Sequence, residues 1–196
     1  MLTRAFDIGI AVVGLAIFVL TYPIIAIAIK LDSGGPVIYS QTRVGLRGKR
    51  FTMYKYRSMS HEGHKPYSTP KLEPVHFETF IFTTPESRLT RVGRFLRATS
   101  LDELPNFWNV LRGDMRLVGP RPEIPELVEQ YPERYHRRHD VKPGITGLAQ
   151  ISGRADLTYD ETMNYDIEYV ENHSLARDLS IAWQTLWVVI TRKGAR

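Results

Sequence analysis

Two carboxylates stand side by side at Asp102 and Glu103, within the densest stretch of the chain, TSLDELPNFWNVLRGDMRLVGPRP (99–122). Taken alone, the pair has a plain structural reading. Ser100 and Glu103 have the spacing of a capping box, and Asp102 is itself a suitable cap for a helix with Pro105 in its first turn. A catalytic reading is limited by geometry. Neighbouring residues on a helix point about 100° apart, so the pair cannot straddle a bond as glycosidase carboxylates do. It can offer one nucleophilic carboxylate beside a second that binds metal or moves a proton. A helix N-terminus also attracts anions, but a phosphate placed there meets an attacking carboxylate only where cations offset the repulsion.

Cations are close in sequence. Arg88, Arg91, Arg94 and Arg97 recur every third residue, Arg121 lies between two prolines, and Arg154 follows the glycine-containing run KPGITGLAQISG (142–153). The guanidinium fork suits bidentate phosphate binding, although for any one arginine a solvated or lipid-facing role is the plainer reading. His61 and His64 have a spacing seen in metal sites. Without cysteine or a further ligand motif, the plain reading is a solvated loop.

The elements that must position these groups can be read from periodicity and breakers. Residues 8–29 carry no charge and are dominated by Val, Ile, Leu, Ala and Phe, a run long enough to cross a hydrocarbon core. Ala26-Ile27-Ala28 resembles a signal-peptide cleavage site, but Asp7 and the length of the run argue against one. Pro23 lies well inside the run and is expected to kink or break the helix. Basic residues flank both ends, Arg4 before and Lys30, Arg43, Arg47, Lys49 and Arg50 after, as cytoplasmic flanks do. A spanning helix and a helix that breaks near Pro23 and leaves by the same face both remain open on these grounds. After a turn at 32–36, residues 37–41 and 51–56 read as a hairpin. Helices are expected over 90–98 and 103–112, from about Pro125 within 122–139, and over 159–171. Residues 179–190 are apolar with Trp183 and Trp187 one turn apart and Arg192, Lys193 and Arg196 following. They suit either a membrane interface or the core.

Composition bounds the function class. With 196 residues, 43% hydrophobic and 24% charged, the chain has the balance of an ordinary folded domain. The absence of cysteine excludes disulfides and thiol chemistry. A net charge of +5 points to an anionic partner: nucleic acid, acidic lipid or a phosphorylated substrate. No nucleic-acid motif is present, so no nucleic-acid partner is expected. A non-enzymatic membrane adaptor with a basic surface is the rival to an enzyme.

Several long motifs, in order, resemble the bacterial monotopic phosphoglycosyl transferases, the polyprenyl-phosphate sugar-phosphate transferases of glycan assembly. They are the opening helix with its proline, KLDSGGPVIYSQTRVG (30–45), YKYRSM (54–59), SLDELP with NVLRGDMRLVGPRP (100–122) and VKPGITGLAQISGR (141–154). The stretch 61–88 resembles the family least. The resemblance implies an α+β, mainly helical fold. Residues 1–31 would form a re-entrant membrane helix broken at Pro23, and residues 32–196 a catalytic domain with a small β-hairpin and interfacial helices. It further implies Asp102 as nucleophile toward a UDP-sugar, Glu103 as its metal or proton partner, Mg²⁺ held by both, and phosphate-handling arginines at Arg97, Arg121 and Arg154. UMP would leave, and undecaprenyl phosphate would take the phospho-sugar from Asp102. The implied setting is the bacterial inner (cytoplasmic) membrane with the catalytic domain facing the cytoplasm, membrane lipid as partner and a homodimer as an option.

Overall fold

A computed structural model describes residues 2–60, 74–81, 88–153 and 156–191. His61, His64 and Arg154 lie outside the described residues. The order of elements is α1 (Leu2–Asp32), β1 (Ile38–Val44), β2 (Arg50–Tyr56), α2 (Arg91–Ala98), a 3-10 turn (Leu101–Asn106), α3 (Phe107–Arg112), β3 (Arg116–Val118), α4 (Pro125–Val128), a 3-10 run (Glu133–Asp140), β4 (Gly144–Thr146), α5 (Leu148–Ser152), α6 (Tyr159–Asn172) and α7 (Leu175–Thr191). Among the described residues the fold is therefore mainly helical, with two small sheets. One is the expected antiparallel hairpin, β1 on β2 with Ile38 opposite Tyr56 and Val44 opposite Arg50. The other is a parallel pair, β3 on β4, which sequence reading missed.

Helix α1 has 31 residues, about 46 Å at 1.5 Å per residue. By length and composition it is apolar enough to enter a bilayer. Only one stripe is covered: Asp7, Ala11, Gly14 and Ile29 are buried, while Val13, Leu20, Ile24 and Leu31 stand exposed on other faces. Ala11 packs with Met53, Val110 and Met115, and Gly14 faces the ring of Phe107. Ile29 packs with Tyr56, Leu96 and Leu104, a burial that contributes roughly 2 kcal/mol. Both ends are also tied by polar groups. The Arg4 guanidinium donates to the Val110 and Leu111 carbonyls at the end of α3. Asp7 accepts from the Leu117 amide and from Arg116, which also binds Asp178 of α7. Asp32 accepts from the Val92 amide. Helix α1 runs from Leu2 to Asp32 with Pro23 inside it.

Local sequence accounts for most of the remaining boundaries. Thr90 caps α2 by accepting from the Gly93 amide. Thr158 and Glu161 form the reciprocal capping box that opens α6. Gly113, at φ 89°, stops α3. Between Pro122 and His139 the expected helix starts at Pro125 and ends at Val128, before a 3-10 run. Pro132 accounts for this, since its ring cannot continue a helix. In α7 the face carrying Asp178 and Ile181 is buried against the core, and Leu179, Trp183, Leu186 and Trp187 face outward.

His139, 8% exposed, stacks on Tyr131 at an interplanar angle of 13°. Burial, with Arg138 beside it, pushes its imidazole down to about 4. The folded value lies below the unfolded one, so acid protonates the unfolded chain first. Stability from this group is complete above the ordinary 6.5 and is lost as the pH falls toward 4. Thermal melting of the solubilised protein should show a falling midpoint through that window, and His139→Phe should flatten the slope.

Candidate active site

The site is built on the turn after α2. Gly93 lets this helix approach the end of the hairpin, since a Cβ there would lie 1.9 Å from the Ser58 carbonyl oxygen. The chain then reverses at Ser100, which takes the left-handed conformation (φ 56°, ψ 16°), one that costs a non-glycine residue on the order of 1 kcal/mol. The expected capping box at Ser100 and Glu103 does not form: the Ser100 side chain makes no cap bond, and only its carbonyl accepts from the Glu103 amide. Residues Leu101–Asn106 instead wind as a 3-10 turn. Three residues per turn eclipse positions i and i+3, which puts Asn106 directly beside Glu103. Leu104 points into the core beneath.

The Glu103 carboxylate accepts three hydrogen bonds, two of them from distant parts of the chain. Its Oε1 accepts from Lys55 Nζ at 2.5 Å and from the Arg121 guanidinium at 3.0 Å. Its Oε2 accepts from Asn106 Nδ2 at 2.5 Å. Burial alone would raise its pKa, but Lys55 and Arg121 outweigh burial and hold it well down, at about 2. The neighbouring Asp102 is 8% exposed, and among the described residues its carboxylate accepts no hydrogen bond. Burial, then the charge of Glu103, raises it to about 6 against the pull of Lys55, Arg121 and Arg97. Adjacent residues of the same charge type are thus made unequal. Glu103 is a committed anion holding two cations in place, while Asp102 is an unclaimed and more basic carboxylate among cations.

The structure brings Asp102, Glu103 and Arg121 together. Arg97, at the end of α2, donates from Nε to the Ser58 hydroxyl at 3.0 Å and acts on Asp102 as a charge. Arg91 and Arg94 lie exposed on α2. Arg154 lies outside the described residues, and Pro23 is exposed on α1. Lys55 was missed as a site residue. Its signal was present in YKYRSM: a lysine between two aromatic residues of a strand, on which its side chain is 13% exposed. Burial there lowers its pKa, with Arg121 acting in the same direction. Asn106 was equally missed, because an i+3 partner for Glu103 follows only from the 3-10 winding. Among the described residues there is no group of three or more acidic, histidine or cysteine side chains suited to a metal.

Residues 1–192 match the family described as bacterial sugar transferase. The chain is 42% identical over 200 residues to the undecaprenyl-phosphate galactose phosphotransferase of Salmonella typhimurium, covering 99% of this chain and 41% of that protein. It is 40% identical over 203 residues to the UDP-glucose:undecaprenyl-phosphate glucose-1-phosphate transferase of Escherichia coli, covering 100% of this chain and 41% of that one. An uncharacterized sugar transferase of Bacillus subtilis is 40% identical over 194 residues, and there the match covers 99% of this chain and 90% of the relative. The chain thus spans less than half the length of the first two relatives and nearly all of the third. By the extent of the family match, the chain belongs to the bacterial sugar transferases.

Proposed function

We propose that this chain transfers a sugar 1-phosphate from a UDP-sugar to undecaprenyl phosphate through a covalent intermediate on Asp102. The observation that carries this reading is the inequality of the two carboxylates: Glu103 held by Lys55, Arg121 and Asn106, and Asp102 left unbound beside them. An Asp102 oxygen attacks the phosphorus that bears the sugar. The bond from that phosphorus to the bridging oxygen breaks, and its electron pair leaves with UMP. An oxygen of undecaprenyl phosphate then attacks the same phosphorus, and the Asp102 carboxylate departs unchanged. The acceptor thereby becomes a diphosphate, and neither displacement requires a proton from the protein. Lys55, Arg121 and Arg97 offset the repulsion between carboxylate and phosphate. Glu103, held ionised, supports the role of a fixed anion rather than a proton carrier. Asp102 and the free acceptor direction of Glu103 would hold Mg²⁺, which would neutralise oxygens of the donor diphosphate. The named activities of the relatives, transfer from UDP-glucose to undecaprenyl phosphate among them, support the substrate classes.

Contacts at the two ends of α1 support a membrane arrangement. A spanning helix carries its ends to opposite sides of a hydrocarbon core of roughly 30 Å, yet Asp7 and Asp32 are both bound by amides of the same body. That supports a helix which dips into one leaflet, turns near Pro23 and leaves its catalytic part, residues 32–196, on the cytoplasmic face of the inner membrane. The outward face of α7, with Trp183 and Trp187, suits the same interface.

Membranes carrying the protein, given a panel of UDP-sugars with Mg²⁺ and undecaprenyl phosphate, should release UMP and yield a phospho-sugar adduct on Asp102 by mass spectrometry. Asp102→Asn should lower release about 10³-fold or more. Undiminished release by that variant, or none from any donor, would overturn the reading. Lys55→Met should cost about 10²-fold in kcat, whereas wild-type rates would remove Lys55 from the site. Since the chain has no cysteine, single cysteines placed at Leu2 and Ser33 report topology with an impermeant thiol reagent. Both should label from the cytoplasmic side, and labelling from opposite sides would exclude the re-entrant path.

A further inference from the structure

Arg121 is carried by a segment that has little means of holding itself. Pro120 and Pro122 have no N–H to donate, so the segment is pinned chiefly through its carbonyls. Pro120 O accepts from the Gly144 amide at 3.0 Å, Arg121 O from the Arg138 guanidinium at 2.6 Å, and Pro122 O from Arg43 at 3.2 Å. Of these, the bond to Arg121 itself comes from a buried charge. The Arg138 and Asp166 side chains are each 2% exposed and meet at 2.5 Å. The other arm of the guanidinium donates to the Tyr131 hydroxyl at 2.8 Å, which in turn pairs with Tyr159.

A buried ion pair is a poor device for stability, because desolvation of both ions offsets their attraction and apolar side chains of the same volume often serve as well. What an apolar pair cannot do is donate a hydrogen bond to a carbonyl. We propose that the buried Arg138–Asp166 pair is a positioning device for the transfer reaction: Asp166, on α6, aims the Arg138 guanidinium at the Arg121 carbonyl, and so fixes the cation that meets Glu103. Arg138 is too deeply buried to touch substrate, so its action runs through Arg121. The functional part of this inference rests on the phosphoglycosyl transfer reading.

The test uses the full chain in lipid nanodiscs with Arg138→Met and Asp166→Leu combined, which removes both charges together. The double variant should melt near the wild-type temperature. Its kcat/KM for UMP release should fall about tenfold, and the same pair of changes in an Arg121→Met background should cost nothing more. Amide exchange at Gly144, whose N–H donates to Pro120 O, and at Val44, whose N–H donates to Glu123 O, should accelerate about tenfold. Equal losses in the two backgrounds, or unchanged exchange at Gly144 and Val44, overturn the proposal. If the wild-type chain releases no UMP, exchange alone decides whether the brace exists, and the transfer reading falls separately. Should the double variant fail to fold, Asp166→Asn keeps the volume and is read in the same two ways, with a smaller loss and a smaller acceleration expected.

Discussion

Two adjacent carboxylates in a largely buried turn repel one another, and left to themselves they would share a proton between them. Here the repulsion is resolved by giving almost all the compensating groups to one of them. Lys55 arrives from the hairpin, Arg121 from a proline-flanked segment and Asn106 from the next turn of the same 3-10 helix, and all three meet Glu103. Asp102 is then left with charge nearby and, among the described residues, no hydrogen bond of its own. Much of the surrounding architecture serves this asymmetry. The hairpin must bring Lys55 beneath the turn, α2 must end where Ser100 can reverse the chain, and β3 and β4 must meet so that Arg121 emerges over Glu103.

The site therefore depends on contacts across long sequence separations, and the supporting groups are themselves supported. The Arg121 backbone is held by Arg138, Arg138 by Asp166 and Tyr131, and Tyr131 by an aromatic cluster that includes Phe77 and Tyr159. Preorganisation of this kind holds fixed charges in place, so that they need not reorganise when charge develops beside them.

Elements governed by local chemistry were legible in the sequence. The hairpin, the capped helix α2, the stop at Gly113 and the periodic α6 stand close to where patterning and capping residues put them. The capping box at Ser100 was misread because a local bond lost to tertiary ones. The Glu103 side chain, which would have reached back to its own turn, is drawn instead to Lys55, 48 residues away in sequence. Strands β3 and β4, with three residues each, are too short for an alternating pattern to register. Helix α7 begins at Leu175 rather than Leu179 because its first turn holds Asp178, whose buried bonds to Arg116 and Tyr169 are invisible to periodicity. Read alone, the dyad suggested helix capping and Arg121 a solvated arginine, and only the family resemblance singled them out, whereas Lys55 and Asn106 needed the fold.

The covered stripe of α1 has a consequence for how such a chain can be taken apart or varied. Ala11 and Ile29 belong to two separate core clusters, and Arg4 and Asp7 complete polar networks with α3, β3 and α7. A generic hydrophobic segment fused in place of α1 would restore greasiness but not these contacts. The leading helix is a structural subunit of the domain in its own right, so soluble truncations should be sought by repolarising its outward face rather than by cutting it away.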